Sequence, residues 1–336
     1  MQQSTFPAGI SSALIARAAA QGYAFTRSDA QELGCPDSQL RAWCRTGQLR
    51  TPGYGAYYLP PAINNDSSDS PTDISADLFS ADREDAVRRI RSIVLTMNDS
   101  VVVTHESALL LHGLPVWSTR AVLDTHLSNG GIRTRTRRSG VRMHRSAPAL
   151  QSMLIDNVWV ASAAWAVAQT GCTLGLEAAV VAADAALHAG LTSVGRLGEA
   201  CTELTGTRGS SALSALPRLV DGRSESPGES RLRLLVDGAG FDVTPQLVIR
   251  NEFGDFVARV DLALDGSPVI IEFDGMLKYR GAAARGALVA EKHRELSLNR
   301  LGYIVIRVTW EDLPHPERIV GWLRTAQART GGRILW

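Results

Sequence analysis

Residues 256–264 (FVARVDLAL) alternate in a way that only an extended strand satisfies, and they hold one acid, Asp261, in an otherwise apolar run. The alternation puts Phe256, Ala258, Val260, Leu262 and Leu264 on one face and Arg259 and Asp261 on the other. Residues 269–274 (VIIEFD), opened by Pro268, repeat the pattern: Val269, Ile271 and Phe273 share one face, Glu272 and Asp274 the other. Upstream, Ser226-Pro227-Gly228-Glu229 opens a helix carrying Leu232, Leu235 and Val236. Gly238 and Gly240 end it, and residues 241–249 read as a strand. Asp274-Gly275 marks a turn, residues 291–300 a helix closed by Gly302, and residues 303–309 a last strand. The last third of the chain is therefore expected to be an α/β domain in the order helix, three strands, helix, strand.

If the two acid-bearing strands pair, Asp261 and Glu272 can meet at one end of the sheet. Buried carboxylates are costly unless a cation compensates them. An oxygen-only ligand set with room for water suits Mg²⁺ or Mn²⁺, which can activate a water and stabilise charge on a phosphate. Lys278 could orient that water, and Glu229 could reach the same cleft from its helix. The chain has 35 basic residues, of which only Lys278 and Lys292 are lysines, and both follow Glu272. An ammonium can point at one water where a guanidinium is planar and wide. The plainer alternative is that Asp-Gly is only a turn and Glu291-Lys292 a solvated helix face. Each residue alone reads as structural; their combination in this element order favours catalysis.

A chain of 336 residues calls for two or three domains. Its net charge of +1 does not announce a nucleic-acid binder, so basic surface must be local. Cys35, Cys44, Cys172 and Cys201 lack metal or disulfide spacing and suggest a reducing cytoplasm. No signal-peptide pattern opens the sequence, and the alanine-rich stretch 158–191 is broken by Gln169, Glu177 and Asp184, so no membrane partner is expected. The phosphate-loop, nucleophile-elbow and zincin motifs are absent.

Residues 1–60 read as three helices and a hairpin, the pattern of a winged helix-turn-helix. The third helix, 37–46, would be the recognition helix, with Gln39, Arg41 and Arg45 facing double-stranded DNA and the wing near residues 52–54. A three-helix protein-interaction module is the alternative. Residues 61–82 are rich in Asn, Asp, Ser and Pro and read as a linker or loop. Residues 83–222 form a mixed α+β middle region, and residues 223–336 the last domain. Residues 131–145 contain six arginines and no acid; Arg133, Arg135 and Arg137 alternate, and Ser139-Gly140 could turn the segment into a hairpin. It reads equally as a phosphate-contacting edge or a solvated loop. His105 and His112 could share a helix face, but two histidines without a third ligand read as packed or capping residues.

The segments E-S-x-x-E-S-x-L-R, R-V-D-L-A, I-I-E-F-D-G-x-x-K-Y and E-K-x-R-E-x-x-L-x-x-L-G-Y-x-V-I-R-V-T-W-x-D-L, over residues 224–325, resemble the PD-(D/E)xK nuclease superfamily. The similarity is to actinobacterial proteins of the branch related to the very-short-patch-repair endonuclease. The resemblance implies a restriction-endonuclease-like domain, Mg²⁺ (or Mn²⁺), and a site on Glu229, Asp261, Glu272 and a lysine. The superfamily's usual lysine stands two residues after the acid, where this chain has Asp274; Lys278 or Lys292 would have to supply that charge. The N-terminal part and V-T-H-E-S-A-L-L-L-H-G-L-P (residues 103–115) resemble the antitoxin of type IV abortive-infection toxin–antitoxin systems, which implies an autorepressor with a toxin partner. Two functions follow: a metal-dependent DNA endonuclease in phage defence or repair, or a non-enzymatic regulator using an inactive nuclease fold for homodimer or partner contact.

Overall fold

The computed structural model describes residues 9–53, 55–61, 76–97, 101–117, 124–131, 136–138, 140–275 and 284–330. These residues form a mixed α/β molecule with twelve α-helices and three sheets around separate hydrophobic cores.

The N-terminal core is built from α1 (Ser12–Ala20), β1 (Ala24–Thr26), α2 (Arg27–Glu32), α3 (Asp37–Arg45), β2 (Arg50–Gly53) and β3 (Ala56–Tyr58). Thr26 starts α2 by a reciprocal cap: its hydroxyl accepts from the Asp29 N–H, and the Asp29 carboxylate accepts from the Thr26 N–H at 2.8 Å. Leu14, Phe25, Leu40, Trp43 and Leu49 fill the core. Strand β1, too short to show a period in sequence, completes a sheet of order β1-β3-β2.

The middle region holds α4 (Ala76–Val94), β4 (Val102–Val103), α5 (His105–Leu111), β5 (Thr125–Asn129), β6 (Thr136–Arg138), β7 (Val141–Arg145), β8 (Ser152–Ile155), β9 (Val158–Ala161), α6 (Ala163–Leu174), α7 (Leu176–His188), α8 (Val194–Glu203) and α9 (Leu216–Leu219). Its sheet runs β6-β7-β5-β4-β9-β8. Helices α6 and α7 bury alanines almost continuously, and their backbones approach closely. A Cβ on Gly171 would lie 2.4 Å from Leu213 Cδ2 and 3.0 Å from Ala179 Cβ. The stretch read as a linker is corrected at its end, because α4 begins at Ala76. That helix docks the N-terminal core onto the middle one. Arg88 donates to the Leu59 and Pro60 carbonyls at 2.8 and 3.0 Å and covers the Tyr23 ring, while Ile90 and Ile93 enter the middle core.

The last domain comprises α10 (Pro227–Gly238), β10 (Val243–Arg250), β11 (Phe256–Leu264), β12 (Val269–Asp274), α11 (Ala284–Arg300), β13 (Ile304–Thr309) and α12 (Pro316–Thr330). The sheet order is β10-β11-β12-β13, antiparallel except for the parallel β12–β13 pair. On one face Leu262, Leu264, Val269 and Ile271 pack with Leu232 and Val236 of α10 and with Ile319 and Leu323 of α12. On the other, Ala258, Val260, Ala263 and Ile270 pack with Leu298 of α11. The single apolar face expected for β11 is thus corrected: Ala258 and Val260 face one helix layer, Leu262 and Leu264 the other, and the parity changes at Asp261. Helix α12 was not expected from the sequence pattern. A buried pair, Arg233 of α10 donating to Asp184 of α7 at 2.8 Å, and a Trp117–Trp310 ring stack join this domain to the middle region.

Candidate functional site

The acids gather where β11 changes parity. The β10–β11 ladder holds one register from Val243↔Leu264 to Ile249↔Ala258 but skips the position of Gln246 and Asp261, and Gln246 has φ +54°. A non-glycine residue in the left-handed region is strained and opens the ladder locally. Gln246 Nε2 donates to Glu229 Oε2 at 2.9 Å. Glu229 itself sits in the first turn of α10, where it accepts from the Ser226 hydroxyl at 2.8 Å and the Glu225 N–H at 2.9 Å. That turn lies directly on β12: a Cβ on Gly228 would meet Phe273 Cε1 at 2.0 Å.

Across the sheet, the β11–β12 ladder pairs Leu262 with Ile271, so Asp261 and Glu272 occupy the next register positions. Asp261 Oδ2 accepts from the Phe273 N–H at 2.9 Å. Glu272 is buried, and both its oxygens accept from Arg294 of α11, at 2.7 and 2.5 Å. This bidentate pairing is a strong charge-assisted arrangement. The structure therefore puts Asp261 and Glu272 at adjacent register positions where the β11–β12 ladder ends, ties Glu229 to Gln246 of β10, and turns Glu272 onto a guanidinium. Among the described residues these carboxylates form no group of three ligand atoms within 4.8 Å of one another. Asp274 is half-buried at the end of β12, Lys292 is exposed on α11, and Lys278 lies outside the described residues.

In the N-terminal module Gln39, Arg41 and Arg45 are exposed on α3. Arg41 and Arg45, with Ser38, Cys44, Thr51 and Tyr57, line a cleft of about 450 Å³ between α3 and the β2–β3 hairpin. The helix's acid, Asp37, is held by Arg27 and does not oppose this positive surface. Arg137 lies in the edge strand β6, its Cα opposite Arg142; Arg133 and Arg135 lie outside the described residues.

A second group was not anticipated from the sequence. His105, His126 and His144 are 5%, 5% and 7% exposed, and one ligand atom from each lies within 4.8 Å of the others. His144 Nε2 is 3.1 Å from His126 Nδ1, and Glu106 Oε2 is 3.4 Å from the same nitrogen. Burial, with His144 and Arg142 adding to it, pushes His126 down to about 3, so its imidazole is neutral near pH 7. Burial pushes Glu106 up, against the hydroxyl of Thr173 that donates to it. His112 is elsewhere, with Nε2 against the Ala161 carbonyl at 2.7 Å. The group unites three elements distant in sequence. The signal that could have found it is a histidine inside each of two neighbouring strands, His126 in β5 and His144 in β7.

Among the described residues no helix is long and apolar enough to cross a membrane. No protein-family profile matches the chain. The chain is similar to uncharacterized protein Rv2248 of Mycobacterium tuberculosis strain ATCC 25618 / H37Rv, at 24% identity over 236 residues, covering 70% of this chain and 84% of the relative. It is equally similar, with the same identity and coverage, to uncharacterized protein MT2308 of Mycobacterium tuberculosis strain CDC 1551 / Oshkosh.

Proposed function

We propose that this chain is a DNA-binding endonuclease that hydrolyses phosphodiester bonds with a divalent cation, Mg²⁺ or Mn²⁺, at the carboxylate end of β11 and β12. The observation that carries the reading is the adjacency of Asp261 and Glu272 beside a parity break, with Glu229 tied to the same break through Gln246. The order helix, three antiparallel strands, helix, parallel strand is what the restriction-endonuclease resemblance calls for. The donor chemistry fits a hard cation, since every candidate ligand is a carboxylate. Asp261 and Glu272 would hold it, Glu272 after Arg294 releases its two oxygens. When bound, such an ion supplies Lewis-acid stabilisation of the phosphate and a more acidic water. Arg294, displaced from Glu272, remains a cation beside the site and can take up phosphate charge. The N-terminal module, read as a winged helix, would place double-stranded DNA through Gln39, Arg41 and Arg45.

The reading is tested with supercoiled plasmid in Mg²⁺ or Mn²⁺, comparing parent, Asp261→Ala and Lys278→Ala. Asp261→Ala should lower the nicking rate about 100-fold or more, the loss expected when several kcal/mol of charge stabilisation disappears. Equal cleavage by parent and Asp261→Ala would refute it.

The Arg294 clamp favours a second reading. A guanidinium that saturates Glu272 is what a nuclease fold kept for its shape would show. In that case the chain is a transcriptional regulator that docks operator DNA, with the last domain used for a homodimer or toxin contact.

A further inference from the structure

We infer that His105, His126 and His144 form a buried zinc site in the middle region, with Glu106 beside it, separate from the carboxylate site of the last domain. Four ligands about 2.0–2.1 Å from a tetrahedral zinc stand about 3.3 Å from one another. One edge of that tetrahedron is in place, His144 Nε2 to His126 Nδ1 at 3.1 Å; Glu106 Oε2, 3.4 Å from His126 Nδ1, stands beside the group. The His126 ring centroid lies 5.0 Å from that of His105 and 5.1 Å from that of His144. The rings of His105 and His144 stack at 4.0 Å, so binding an ion at their in-plane nitrogens requires the rings to turn edge-on to it.

Three independent observations point to a ligand. Glu106 is 4% exposed, yet its Oε2 has no hydrogen-bond partner, an arrangement that costs free energy unless something binds there. His105 has φ +54°, a strained backbone that turns its ring into the cluster. The supporting hydrogen bonds have the pattern of groups that orient metal ligands: Thr104 Oγ1 lies 2.9 Å from His105 Nδ1, and the Thr173 hydroxyl donates to Glu106 Oε1 at 2.5 Å. Three imidazoles suit zinc better than magnesium or calcium. With all three donors buried, the site is closed to a bulky substrate, so its role is structural. It would pin α5 to β5 and β7, and through β7 it would anchor the arginine-bearing β6–β7 hairpin.

The test uses the untagged full-length chain, purified without chelator, with metal content read by mass spectrometry. The parent is expected to carry about one zinc per chain and to lose thermal stability with a strong chelator, which added zinc restores. Asp261→Asn should keep the zinc, and His126→Ala with His144→Ala should lose it. Cobalt in place of zinc gives the visible absorption of four-coordinate Co²⁺ in the parent, so the question is decided even where the double variant does not fold. Parent protein that takes up no zinc or cobalt and shows no thermal response overturns the inference, as does full zinc retention by a folded double variant. Nuclease activity plays no part in these readouts, so this site and the carboxylate site stand or fall separately.

Discussion

Gly228 shows how little room separates the first turn of α10 from the sheet. A methyl group there would lie 2.0 Å from the Phe273 ring, and Phe273 also packs edge-on against Trp310 at 4.9 Å, so the ring cannot retreat freely. Gly228→Ala should therefore cost about 1–3 kcal/mol, the range for overpacking a filled contact, and chemical denaturation will read it as a lower midpoint. The same change lifts Glu229 away from Gln246, so DNA cleavage should fall further than the stability loss accounts for. Unchanged stability would mean that α10 does not lie on β12 as described. At Glu272 the two hydrogen bonds to Arg294 decide how the carboxylate is used: a guanidinium in a fixed fork competes with any cation for the same oxygens.

Among the elements, α3 carries the proposed DNA contact. Its buried face is Leu40 and Trp43, and its outer face presents Gln39, Arg41 and Arg45. Arg41→Ala with Arg45→Ala should weaken binding to duplex DNA and reduce the slope of log affinity against log salt by about 2, one for each phosphate that an arginine neutralises. A filter-binding salt titration measures this, and an unchanged slope would place the DNA-docking surface elsewhere. The strands of the last domain were legible because period-two alternation survives in 256–264 and 269–274 and glycines stand at their turns. Local pattern could not show the parity change at Asp261, because it depends on the strained Gln246 of a neighbouring strand. Nor could it show β1, which has three residues, or the start of α4 at Ala76, where a polar composition conceals a helix packed on two cores. The carboxylates were legible as acids in apolar strands, but the Arg294 clamp was not, since arginine is this chain's general basic residue. The histidines were illegible as a group because pairing of β5 with β7 brings two of them together.

The described residues form three units, the last with a core on each face of its sheet, joined by side chains that are expensive to disturb. Arg88 ties the first core to the second, and Asp184 with Arg233 ties the second to the third. Asp184 is fully buried and Arg233 is 5% exposed, so Asp184→Ala leaves a buried cation with only its long contact to Asp237 at 3.5 Å. The expected cost is about 3–5 kcal/mol, seen as earlier unfolding of the last domain in a denaturant titration. A change under about 1 kcal/mol, on the order of a surface ion pair, would show that this junction is hydrated. The arrangement gives the proposed nuclease a fixed offset between its DNA-docking helix and its carboxylates, in place of a flexible tether. The most direct measurement is the initial rate of supercoiled-plasmid nicking in Mn²⁺ by parent, Asp261→Asn and Glu272→Gln. Each isosteric variant should be reduced about 100-fold or more while still binding DNA. Nicking that is absent from the parent, or equal in all three proteins, would contradict a hydrolytic site at the end of β11 and β12.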